Sequence, residues 1–159
     1  MAQSYNGRMK AEEYRRIEDC VNFQLTQAQS KVNALFRSNL EAYGVTPAQY
    51  MILYFLWEED GLSPSRLAEM GGLDASTITG LLTRMERKGL TKRKHSKDDR
   101  RGVNVYLTKE GVALRGDILR VIEESNKEAL ACLAPKERKA FKKALARIAE
   151  NETSAQERK

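Results

Sequence analysis

The chain holds two cysteines, one histidine, three prolines and one tryptophan in 159 residues. Cys20 and Cys132 are too few and too far apart for a disulfide framework. The lone His95 leaves no Cys/His ligand set, so neither a metal nor another cofactor is expected. No apolar run approaches the roughly 20 residues of a membrane span. The opening "MAQSYNGRMK" lacks the apolar centre of a signal peptide. A reducing cytoplasm is therefore the expected compartment, with no membrane partner. No nucleophile elbow, phosphate-cradling glycine loop or metal spacing occurs. His95 sits among Lys92, Arg93, Lys94 and Lys97. No catalytic residue is assigned, and an enzyme is not expected.

Positive charge is what the chain has, and it is concentrated. From Arg84 to Arg101 stand nine Lys/Arg against three acids, Glu86, Asp98 and Asp99, an excess equal to the +6 of the whole chain. The other 141 residues are close to neutral. A charge run is ordinarily a solvated face, but an entire net charge within 18 residues better suits a polyanion-binding surface. With 41% apolar residues the chain can still bury a core.

The three prolines mark helix starts. Thr46-Pro47-Ala48-Gln49 carries a cap, a first-position proline and a Thr-x-x-Gln capping box. Ser63-Pro64 repeats the device for a two-turn helix ended by Gly71-Gly72, and Pro135 opens the last helix. Asp74 caps a helix over Asp74–Lys88 that Gly89 closes. A short helix, a glycine-rich turn and a longer helix are the layout of a helix-turn-helix. Leu90–His95 and Val103–Thr108 read as two strands, the second alternating strictly.

Ahead of this lobe, residues 11–42 lack Gly and Pro. Ile17, Val21, Leu25, Ala28, Val32, Leu35, Phe36 and Leu40 form a helical stripe, predicting one helix of about 30 residues, or about 45 Å. That exceeds what a small domain covers alone, so a second chain is expected on it. Behind the lobe, one helix is predicted from Lys109 to Leu133 and another after Pro135, with Phe141, Leu145 and Ile148 on its stripe. The expected divisions are a flexible tail (1–10), an N-terminal dimerisation helix (11–45), a winged helix-turn-helix DNA-binding lobe (46–108), C-terminal helices (109–150) and a second flexible tail (151–159). The fold class is mainly α with a small β-hairpin wing.

Within Asp74–Lys88, Ile78, Leu81, Leu82 and Met85 fall on one side. Ser76, Gly80, Thr83 and Arg87 fall opposite, with Thr77, Thr79 and Arg84 beside them. Thr and Gly lower helix propensity, so an ordinary solvated face would use other residues. A helix entering a major groove needs a slim approach, hydroxyls for phosphates or base edges, and arginines for guanine or phosphate. In the "SKDDRRG" turn, Lys97, Arg100 and Arg101 are candidate DNA contacts. Asp98 and Asp99 can orient the neighbouring guanidinium for a narrow minor groove.

The stretch "SPSRLAEMGGLDASTITGLLTRMERKGLTKRKHSKDDRRGVNVYLTKEG" resembles the DNA-binding lobe of MarR-type regulators, bacterial and archaeal winged-helix homodimers. The marks are Leu82–Leu90, the "DDRR" wing and "VYLTKEG". The likeness spans roughly residues 15–150 and includes "GVTPAQYMILYFLW". It implies double-stranded DNA and a second copy of the chain as partners, with the terminal helices, 109–150 as well as 11–45, acting as dimerisation helices and Ser76, Thr77, Thr79, Thr83 and Arg84 reading the major groove. It matches Arg101 to the family's minor-groove arginine and Asp99 to its wing aspartate. Ala134 departs from the Ser or Thr that often caps the final helix in relatives, an end expected to be weakly held.

By the same resemblance, the function is a sequence-specific transcriptional regulator on a pseudo-palindromic operator. It would be a repressor released by a small molecule such as an aromatic or phenolic anion. Phe36, Tyr50, Tyr54 and Trp57 are candidate lining for such an effector, with Arg37 as the anion's partner. Aromatics at helical spacing are more often core. The sensing cysteine of the peroxide-responsive branch aligns with Asn22, two residues from Cys20, and Cys132 reads as a small core residue. The competing expectation is a winged-helix module that binds a protein and not DNA.

Overall fold

The structure is a computed structural model that describes residues 16–95 and 102–150. The expected tails, 1–10 and 151–159, lie outside those residues. Among the described residues, seven α-helices and a two-stranded hairpin follow one another: α1 Val21–Leu40, α2 Pro47–Glu58, α3 Pro64–Gly71, α4 Ala75–Arg87, β1 Thr91–His95, β2 Val103–Leu107, α5 Lys109–Ala113, α6 Arg115–Ala129 and α7 Pro135–Ala149. The strands pair antiparallel, Thr91 opposite Leu107 and His95 opposite Val103. A lone bridge from Leu62 to Val105 adds a third, one-residue edge, with Val105 N–H donating to Leu62 O at 2.9 Å and Gly61 N–H to Val105 O at 3.1 Å.

Local chemistry sets most of these boundaries. Thr46 N–H donates to Gln49 Oε1 (3.1 Å) and Gln49 N–H to Thr46 Oγ1 (3.3 Å), closing the capping box on α2. Ser63, Asp74 and Thr108 each accept a backbone N–H three residues on, capping α3, α4 and α5. The side-chain cap absent at Ala134 is partly replaced: its N–H donates to Glu137 Oε2 at 2.6 Å.

The core lies among α2, α3, α4, β2 and α6, with Leu40 of α1 inserted. Ile52, Leu53, Leu56, Leu67, Leu82, Met85, Val105 and Ile118 are buried completely or nearly so. Each such side chain contributes roughly 1.5–3 kcal/mol of burial. Helix α1 packs chiefly on α6. There Asn39 Nδ2 donates to the buried Ser125 Oγ at 3.0 Å, and Ser125 returns its hydroxyl to Val121 O. Gly111 shows a glycine required by close approach, since a Cβ there would fall 2.2 Å from the carbonyl oxygen of Leu90.

Three expectations are corrected. The first helix is not one rod of about 30 residues. A 3-10 turn over Ile17–Asp19 is separated from α1 by Cys20 in extended conformation, leaving 20 α-helical residues before a second 3-10 turn at Glu41–Tyr43. Neither Gly nor Pro marks this break. Gln24 Nε2 donates to Glu18 O, so a side chain supplies a bond that a continuous helix would take from backbone. The predicted Lys109–Leu133 helix is likewise two, α5 and α6, with a turn at Leu114, and it ends at Ala129. Cys132, read as core, is exposed, because it lies in the turn between α6 and α7, which neither helix carries inward.

Candidate nucleic-acid interface

Helix α4 divides cleanly into two faces. Ile78, Leu81, Leu82 and Met85 are buried. Ser76, Thr77, Thr79, Arg84 and Arg87 are exposed, with Gly80 and Thr83 half-buried. All seven helix residues expected to meet DNA therefore stand on one two-faced helix. Its N-terminus is built by Asp74. Ser76 Oγ and Thr77 N–H donate to Asp74 Oδ1 (2.7 and 2.8 Å), and Thr77 Oγ1 donates to Oδ2 (2.7 Å). The Ser76 hydroxyl, then the N–H and hydroxyl of Thr77, hold the Asp74 carboxyl well below the usual carboxylate range.

The remaining hydroxyls are also oriented. Thr79 Oγ1 donates to Ala75 O (2.7 Å) and Thr83 Oγ1 to Thr79 O (2.9 Å). With their protons turned onto the helix, the oxygens present lone pairs outward, the polarity that accepts from an exocyclic base amine. Gly80 keeps the face thin: a Cβ there would meet only Arg84 Nη1, at 3.4 Å. Among the described residues neither Arg84 nor Arg87 has an acidic partner within ion-pair distance.

The hairpin is coupled to this helix by Glu86. Its carboxylate accepts Arg93 N–H at 3.0 Å and the Arg93 guanidinium at 2.7 Å. On the same hairpin the Lys94 ammonium lies 5.5 Å from the Tyr106 ring centroid. The second strand is pinned from the other side, Leu107 N–H donating to Asp60 Oδ1 at 2.8 Å. The wing candidates Lys97, Asp99, Arg100 and Arg101, with Asp98, lie outside the described residues.

Two structural connections lie beyond the reach of the sequence. One is Glu86 to Arg93. The other is Lys88, whose ammonium donates to Gly44 O and to Gln49 Oε1 (3.0 Å). Seven residues separate the first pair, and 44 and 39 the second. Only the alternation of acid and base around Glu86 hinted at either.

The five effector candidates differ in their surroundings. Trp57 is core, 9% exposed, and its indole N–H donates to Gly111 O at 2.9 Å. Phe36 and Tyr50 pack on the core's edge, and burial raises the Tyr50 phenol above its ordinary value. Tyr54 stays exposed, edge-on to Tyr50. Arg37 lies in an open cleft of about 630 Å³ shared with Ser30, Asn33 and Ser38 of the first helix, Glu41 of the 3-10 turn after it, and the Gly44–Thr46 turn.

Comparison with known proteins agrees with this geometry. The family model described as MarR family matches residues 45–103. The organic hydroperoxide resistance transcriptional regulator of Bacillus subtilis is 32% identical over 103 residues, 65% of this chain and 70% of that protein. The transcriptional repressor CouR, solved on a 23-mer DNA duplex, superposes with a TM-score of 0.78 at 26% identity, covering 83% of this chain and 94% of that one. Bordetella bronchiseptica BpsR, whose DNA binding is regulated by 6-hydroxynicotinic acid, superposes at 0.80 with 25% identity, covering 86% and 97%. No helix among the described residues is long and apolar enough to cross a membrane. The chain belongs to the MarR family of winged-helix, DNA-binding transcriptional regulators.

Proposed function

We propose that the chain is a homodimeric repressor that reads a pseudo-palindromic operator with two copies of α4 and is released by a small aromatic or phenolic anion. The observation that carries the DNA reading is the outer face of α4. Its hydroxyls are oriented, it is thinned by Gly80 and flanked by two arginines, and its opposite side is locked into the core. Ser76, Thr77, Thr79, Gly80, Thr83, Arg84 and Arg87 meet the major groove. Lys97, Arg100 and Arg101 reach the backbone and minor groove, with Asp99 orienting an arginine. Residues 46–108 act as the DNA-binding lobe.

Dimerisation rests on α7. None of its fifteen residues is buried, and Phe141, Leu145 and Ile148 stand exposed, as do Val21, Leu25 and Val32 of α1. So much uncovered apolar surface on two long helices marks an association face. On this reading 11–45 and 109–150 form the dimer. Release by a small anion takes its support from BpsR and from Arg37, a cation set in an open cleft.

Titration of duplex DNA with wild type, Arg84→Ala and Arg101→Ala tests the site. Both variants should bind at least tenfold more weakly, with melting temperatures within a few degrees of wild type. Wild-type affinity in both would remove α4 and the wing from the interface.

A further inference from the structure

Arg84, Arg87 and Lys88 line one cleft of about 380 Å³ between α4 and the start of α2. By charge alone the three are equivalent candidates for a DNA phosphate. Their surroundings differ. The two arginines have no acidic partner among the described residues. The Lys88 ammonium is already committed to two oxygens, the carbonyl of Gly44 and the side-chain oxygen of Gln49.

Both acceptors stand at the ends of helical elements. Gly44 ends the helical turn after α1 in the left-handed region (φ 61°), which aims its carbonyl away from the helix it closes. Gln49 is 2% exposed, and the oxygen that receives Lys88 also receives the capping N–H of Thr46. Lys88 is itself the residue that ends α4. One ammonium thus bridges the carbonyl that closes the turn after α1 and the capping side chain at the start of α2.

We propose that Lys88 is a positioning residue for DNA binding and not a phosphate ligand. It ties the C-terminal end of α4 to the α1–α2 junction and so sets the angle at which α4 enters the groove. The proposal rests on the reading of α4 as the groove helix. It also joins two parts of that reading, because Gly44–Thr46 forms a wall of the Arg37 cleft. A molecule that moved this wall would move the anchor of α4.

Salt titration separates the two roles. Each phosphate contact adds about 0.9 to the slope of log affinity against log salt. The probe is an inverted-repeat duplex enriched from a random pool by the wild-type protein, with a scrambled duplex beside it. Lys88→Met should weaken the inverted repeat roughly tenfold, leave the salt slope unchanged and leave scrambled binding near wild type. Lys88→Arg, which can span the same two oxygens, should restore affinity. Arg87→Met, as a phosphate-contact control, should lower the slope by about one on both duplexes. A Lys88→Met slope lowered like that of Arg87→Met would overturn the proposal, and so would unchanged affinity. Loss in Lys88→Arg equal to that in Lys88→Met also contradicts it. If wild type enriches no inverted repeat, the groove reading fails first, and the proposal, which rests on it, falls with it.

Discussion

Glu86 joins α4 to the hairpin at two points, accepting both the backbone N–H and the guanidinium of Arg93 on β1. The pair is roughly a third exposed, with side-chain accessibilities of 32% and 28%. Screening keeps its contribution to stability below about 1 kcal/mol. Its consequence is geometric, because it fixes the angle between the helix and the strand that leads into the wing.

The sign of the Glu86→Gln effect therefore tests this role. Removing a negative charge beside a polyanion should strengthen binding through the overall field. Loss of the junction should weaken it. We expect duplex affinity to fall several-fold while the melting temperature drops by no more than a few degrees, measured by titration and thermal unfolding. Tighter binding would show that Glu86 acts only through its charge.

Much of this fold was legible in the sequence wherever cause and effect lie within four residues. Thr46 with Gln49, Ser63, Asp74 and Thr108 cap where their types require, and the apolar spacing of α4 placed Ile78, Leu81, Leu82 and Met85 inward. What depends on distant partners was not legible. The bridge from Leu62 to Val105 spans 43 residues, and the grip of Lys88 on Gly44 spans 44. Nothing near Trp57 in sequence announces the Gly111 carbonyl that receives its N–H. The break at Cys20 carries no glycine or proline to mark it.

Asp74 makes a pH prediction. Its carboxyl is held low in the folded chain by Ser76 and Thr77. The charged form therefore stabilises the helix fully above the unfolded value, about 3.9. That contribution is lost as the pH falls from there through the depressed folded value. The stability difference between wild type and Asp74→Asn should be flat from pH 8 to about 5 and shrink below about 4. Chemical denaturation across pH measures it. A difference that shrinks instead between pH 8 and 6 would contradict the assignment.

Gly80 should separate stability from binding. Alanine suits a helix interior better than glycine by about 0.5–1 kcal/mol, and its Cβ would meet only the mobile end of Arg84. Gly80→Ala should raise the melting temperature and yet lower duplex affinity, since the added methyl thickens the face presented to the groove. Equal or improved affinity would show that this turn of α4 keeps clear of DNA.

Leu145 tests the association face. It is 37% exposed in the single chain, so Leu145→Asp should leave the monomer's fold intact. Light scattering should show the mass halved relative to wild type, and affinity for an inverted repeat should fall at least tenfold as the two half-sites uncouple. A wild-type monomer, or an unchanged dimer in the variant, would move the interface away from α7.

Selection of binding sites from a random duplex pool at near-physiological salt tests the central claim most directly. Two α4 helices related by a twofold axis predict enrichment of an inverted repeat with half-sites about one helical turn, roughly 34–36 Å, apart. Binding that enriches no motif and fades steadily as salt rises would contradict it, leaving only general attraction between a basic face and a polyanion.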